Sequence, residues 1–191
     1  MKLNRLVATA ILVGASTMSL PVVAGDAPPV DDVKAVAGNY AKQLKSALLE
    51  AMTKEGPEKA MSVCSEKAVQ IGNETARQTG WSLRRVTTKA RNPLNMPDAY
   101  ETAVLGDFEK ILASGKEDAA RYEVVTESGV RYARFTKALK IEPLCLTCHG
   151  VNEAVAPGVR DRLAKLYPHD RARGYQLNEL RGALSIKIRL D

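Results

Sequence analysis

The stretch Cys145-Leu146-Thr147-Cys148-His149 constrains this chain more than any other. Two thiols three residues apart match the step between the two vinyl groups of a haem, and the histidine that follows then faces the iron as proximal ligand. A chain built this way organises its core around a prosthetic group. In a chain with three cysteines the pattern arises by accident on the order of 3 times in 10,000. The motif therefore carries weight by itself.

Three other readings of the same residues compete. A Cys145–Cys148 disulfide is chemically allowed outside the cytosol but leaves Cys64 odd. A redox-active dithiol sits at a helix start in a thioredoxin-like βαβ unit, and no such unit precedes this motif. A zinc site needs about four ligands, to be drawn from Cys64, Cys145, Cys148, His149 and His169. One covalent haem c, held by Cys145 and Cys148 with His149 on the iron, is the preferred reading.

The sixth iron ligand stays open on residues alone. Cys64 shares an apolar helix face with Met61, Ala68 and Ile71, and there reads as a buried core cysteine. An unpaired thiol in an exported chain is nevertheless unusual. Met96, in the proline-bounded loop PLNMPD, and His169, in YPHDRARGY, are rivals.

Export is read from the first 24 residues. Lys2 and Arg5 precede an apolar run from Leu6 to Val13, then small residues, Pro21 and Val22-Val23-Ala24. That is the layout of a signal peptide cleaved after Ala24. The apolar centre is shorter than the roughly 20 residues of a membrane span. Residues 25–191 are then one periplasmic domain, large enough for a core and without a membrane span. Removing Lys2 and Arg5 leaves 26 basic against 22 acidic residues, so the net charge falls from +6 to +4. The basic residues are spread along the chain, which excludes a nucleic-acid footprint and is compatible with docking an acidic redox partner.

Periodicity gives the elements. A helix runs from Asp31 or Asp32 to about Lys54 with Val33, Ala37, Tyr40, Leu44 and Leu48 on one face. A second runs from Pro57 to Thr79 between Gly56 and Gly80. Trp81 to Lys89 reads as a strand, ARNPLNMPD as irregular, and Pro97 or Asp98 to Ser114 as a third helix. Arg121–Thr126 and Val130–Leu139 form a hairpin around Ser128-Gly129, Val159–Leu166 is a short helix, and Gly182–Leu190 is the last strand. Helices first and an antiparallel meander afterwards predict an α+β fold, with the sheet covered by helices on one side.

Several pieces together carry a resemblance: VCSEKA at 63–68, RRVTTKARNPLNMPDAYE at 84–101, RYARFTKALKIEPLCLTCHG at 131–150, YPHDRARGY, and LRGALSIKI near the end. The chain resembles the family of exported single-haem c-type domains with a PAS-like fold and a cysteine–histidine axial pair. Related domains form the extracytoplasmic part of some sensor kinases and chemotaxis receptors. The resemblance implies a PAS-like antiparallel sheet with N-terminal helices packed around the haem, and makes Cys64 the distal ligand opposite His149. It implies that Arg91 and Asn92, in the Arg91-Asn92-Pro93 turn, wall the pocket, with Arg91 facing a haem propionate. The segment LNELRG departs from the glycine–acid pattern of that family, which puts the turn before the last strand in question.

A cysteine ligand favours the ferric state and a low potential. The expected function is electron transfer or redox sensing through an unidentified partner protein, without catalysis. The alternatives are sensing of a diatomic gas such as NO or CO, and, further off, thiol–disulfide chemistry. The chain ends at Asp191, directly after its last strand, so a sensory role is expected to need a separate partner. Sequencing the N-terminus of exported protein should give a chain beginning near Gly25; retention of Met1 in a membrane fraction would restore the anchor.

Overall fold

The computed structural model describes residues 25–190. The expected signal peptide, 1–24, lies outside the described residues. Helix α1 (Val30–Glu55) follows Pro29, carries Asp31 and Asp32 in its first turn and stops at Gly56. The two carboxylates favour that end because they face the positive pole of the helix dipole. Pro57 starts α2 (Pro57–Ser62), which passes into a π-helical turn (Val63–Lys67) and then α3 (Ala68–Thr79), closed by Gly80. The sequence predicts one unbroken helix here. The structure widens its register at the turn that contains Cys64, a distortion that tends to mark functional positions.

Strand β1 (Ser82–Val86) is shorter than the expected 81–89, because the chain turns away after Val86. Helix α4 (Ala99–Ala113) begins with a reciprocal Asp98–Glu101 capping box, in which the Asp98 carboxylate accepts from the Glu101 N–H and Glu101 accepts from the Asp98 N–H. Strands β2 (Ala120–Glu127) and β3 (Val130–Lys140) form the hairpin. Two short helices follow, α5 (Leu146–His149) and α6 (Pro157–Leu166), and then β4 (Leu180–Arg189). The strands form one antiparallel sheet in the order β1-β4-β3-β2. The mixed α+β prediction therefore holds.

Both faces of the sheet are covered, not one. On one face Leu184, Ile186, Ile188, Ala133 and Phe135 pack against Val33, Ala37 and Tyr40 of α1 and Ile71 of α3. On the other, Val86 and Ala183 meet Val104, Leu105 and Phe108 of α4. Of the polar positions that alternate along β4, Ser185 is thus buried, while Lys187 is half-buried and Arg189 is exposed. Arg134, at 0% exposure, spans Asp98 at 2.8 Å and Glu101 at 3.4 Å and also reaches Glu127, while Ser185 donates to Glu101 at 2.7 Å. A buried guanidinium is tolerable only with such compensation. Among the described residues no helix is long and apolar enough to cross a membrane.

One irregularity shapes the end of the sheet nearest the motif. Leu139 pairs with Gly182 but Lys140 pairs with Leu180, so Arg181 is an extra residue bulged out of β4. Gly182 has φ +151°, and a side chain there would run into the Val86 carbonyl and Thr87. Gly38, on the exposed side of α1, has open space around it. Gly182→Ala is expected to lower unfolding free energy by more than about 1 kcal/mol. Gly38→Ala should raise it by roughly 0.5–1 kcal/mol. Urea midpoints of the two variants check this, and equal midpoints would contradict the bulge.

Candidate functional site

The Cys145-to-His149 stretch sits where β3 runs out. Ile141, fully buried, donates its N–H to Glu179 O at 2.9 Å, and its carbonyl accepts from Asn178 N–H at 2.9 Å, which ties the exit of β3 to the entrance of β4. A 3₁₀ turn (Pro143–Cys145) then leads into α5, so the motif is wound tightly as Cys145 passes to His149. Gly150 ends it. A Cβ at Gly150 would press on Leu146 O at 2.7 Å, so the helix closes only with glycine there.

The segment 170–175 clamps this turn. Gly174 N–H donates to Gly150 O at 2.9 Å and Tyr175 N–H to His149 O at 3.0 Å. The imidazole Nδ1 lies 2.8 Å from Ala172 O. A carbonyl only accepts, so Nδ1 carries the proton and Nε2 is left as a lone pair. Burial, with the cations Arg181 and Arg91 nearby, holds the imidazole well below its usual pKa, against the bond to Ala172 and the charge of Asp170. His149 is thus a neutral imidazole with its Nδ1 occupied, the state in which histidine binds metals.

Arg91 is buried and holds the clamp. Its Nη2 donates to Cys148 O at 2.6 Å and Ala172 O at 3.2 Å, and its Nε lies 3.2 Å from Asp170. Within the protein, Arg91 pairs with the Asp170 carboxylate. Asn92 is half-buried and accepts from Leu94 N–H at 3.0 Å, shaping the turn rather than reaching outward.

All three cysteines are free thiols, each half-buried. Cys145 packs with Ile141, Ala172 and Tyr175, and Cys148 with Met61, Val155, Val159 and Leu163. Burial pushes the Cys148 thiol up, Arg91 opposes this, and the neighbouring Cys64 and Cys145 push the same way as burial. Cys64 on the π turn and the Cys145–Cys148 pair are therefore within electrostatic reach of one another. A thiol–disulfide nucleophile needs the opposite shift. Among the described residues no three His, Cys, Asp or Glu side chains are grouped to hold a bare metal ion. The carbonyl of Cys64 accepts from Arg85 Nη2 at 2.8 Å. Met96 is 46% exposed and His169 is exposed as well.

Residues 29–189 match the family model described as Tll0287-like. The chain belongs to the Tll0287-like family. Among solved structures this Tll0287-like chain is similar to the cyanobacterial heme-protein Tll0287, with 25% identity and a TM-score of 0.64, over 86% of this chain and 98% of that one. The comparison with curated proteins gave no match.

Sequence reasoning did not single out Asp170, Ala172 or Tyr175. The signal for Asp170 was its place beside His169 in YPHDRARGY; Ala172 acts through a backbone carbonyl and leaves none. Burial alone would raise the Asp170 carboxyl, but Arg91, the Ala172 N–H at 2.9 Å and Arg173 at 3.0 Å outweigh it and hold it below the ordinary range. Its contribution to stability is therefore complete above its unfolded pKa of about 3.9 and is lost as pH falls through the lower folded value. Arg91→Leu should cost about 3 kcal/mol at neutral pH, since it strands a buried carboxylate. Acidification from about pH 5 to 2 should then cost the variant less than wild type. Parallel acid titrations of the two would argue against the clamp.

Proposed function

We infer that this chain is an exported protein carrying one haem c, and that it transfers electrons or senses redox state without catalysing a reaction. The observation that carries the reading is the His149 imidazole: neutral, tied through Nδ1 to Ala172 O and offering Nε2, with two free thiols on its own turn. The likeness to a protein whose title calls it a heme-protein supports it, as does β1 pairing beside the final strand in what we read as a PAS-like sheet.

The residues present fit the group. Cys145 and Cys148 would add their S–H bonds across its two vinyl groups, forming two thioethers with no oxidant required. His149 would bind through Nε2. Cys64, on its π turn, would supply a second protein ligand as a thiolate, the form in which sulfur binds metal. Haem, when bound, supplies a one-electron ferric–ferrous couple. The chain positions it, excludes competing ligands and sets its potential. An anionic sulfur favours the ferric state, so the potential should be low. The weakening of such a bond on reduction is also what a sensor of CO or NO would use, with Cys64 as the displaced group. The signal peptide and a periplasmic location belong to the same proposal, as does an unidentified redox partner.

The test is an absorption spectrum, oxidised and reduced, with and without CO, on protein made in a host that matures cytochromes c. A haem-staining band should survive denaturing electrophoresis and weaken or vanish in Cys148→Ala. Cys64→Ser should keep the haem, change the ferric spectrum and raise the potential, whereas Met96→Leu and His169→Ala should do neither. Haem-free protein with a Cys145–Cys148 disulfide would end the reading. A wild-type spectrum in Cys64→Ser, with a shifted one in Met96→Leu, would move the distal ligand to Met96.

A further inference from the structure

The cations around His149 outnumber the anions that serve them. Arg85 and Arg91 both lie close enough to influence Arg181, and Lys89 and Arg173 stand beside this group. The carboxylate that pairs with members of this group is Asp170, and it is already shared by Arg91 and Arg173. Among the described residues Arg85, Lys89 and Arg181 make no ion pair within 4.0 Å. Burial, together with Arg91 and Arg85, pushes the Arg181 guanidinium down, against the influence of Tyr175 and Asp170. Like charges collected in a partly buried place cost free energy unless an anion joins them.

Arg181 is where it is by construction. It is the bulged residue of β4, and bulges re-aim side chains beside functional sites. Gly182 and Thr87 hold it there: Thr87 Oγ1 donates to Arg181 O at 2.8 Å and accepts from Arg181 Nη1 at 3.1 Å. Its guanidinium stands 5.6 Å from the centre of the Tyr175 ring, and Lys89 Nζ stands 4.1 Å from the same ring. Tyr175 in turn meets His149 edge-on at 6.2 Å. Two cations with no carboxylate partner thus flank the aromatic ring against the imidazole.

We propose that Arg181, aimed by the β4 bulge and assisted by Lys89, binds the carboxylates of the prosthetic group, the part first assigned to Arg91. The chemistry is guanidinium–carboxylate pairing, for which the planar fork of arginine is suited. The proposal rests on the haem reading, and haem content and potential separate the two. Arg181→Gln, Arg181→Lys and Lys89→Gln should all retain full haem by staining and intact mass, because attachment is through Cys145 and Cys148. Loss of a cation beside an ionised carboxylate favours the ferric form. In Arg181→Gln the ferric–ferrous ratio at fixed ambient potential should rise about threefold at neutral pH, about 30 mV at 59 mV per tenfold. The pH at which the potential bends, where the carboxylate titrates, should move up. Lys89→Gln should show a smaller change in the same sense, and Arg181→Lys should recover most of the wild-type behaviour. Full haem with an unmoved potential and an unmoved bend in Arg181→Gln would overturn the proposal. Haem-free wild-type protein would overturn both it and the reading beneath it.

Discussion

The ion pair between Arg91 and Asp170 is what the site depends on. It joins two chain segments far apart in sequence, and Arg91 spends its donors on the carbonyls of Cys148 and Ala172. Ala172 O then accepts from His149 Nδ1. One buried pair therefore fixes the orientation and tautomer of the imidazole, while burial keeps it neutral. Such a pair contributes little net stability relative to apolar packing, but removing one partner is costly. Its value lies in specifying one arrangement of the Cys145–His149 turn.

The rest of the fold delivers parts to that clamp. The sheet is a rigid mount because both faces are buried, by α1 and α3 on one side and α4 on the other. Its regularity breaks at two places, and both face the site. The π turn carries Cys64. The bulge in β4 carries Arg181 and is possible only because Gly182 tolerates its backbone geometry. Arg85, at the far end of β1, links the first of these to the sheet through the Cys64 carbonyl. Irregular backbone here is concentrated where side chains must be re-aimed, as local rules predict.

Much of this was legible in the sequence, for reasons that also explain what was not. The periodicity of Val33, Ala37 and Tyr40, the Gly56-Pro57 boundary and the Ser128-Gly129 hairpin follow from local physics, and the structure has all of them. The Cys-x-x-Cys-His spacing marked out the candidate site. Covering of the second sheet face was missed because Ser185 and Arg134 look like solvent-facing alternation, and only their shared partner Glu101 makes them interior. The π turn was invisible because Met61, Cys64, Ala68 and Ile71 fit a plain helix. The pairing of Arg91 with Asp170 was not legible, since the approach of Asp170 is a tertiary fact with no local signature.

The central proposal is that His149 and Cys64 would both bind the iron of one haem. X-ray absorption at the iron edge of the oxidised holoprotein tests it most directly, because it reports the atoms bonded to iron without reference to function. The expected result is a single sulfur bonded to iron in wild type, replaced by a lighter atom in Cys64→Ser, with the remaining ligands nitrogen in both. A wild-type iron with no bonded sulfur, or a sulfur that persists in Cys64→Ser, would contradict it.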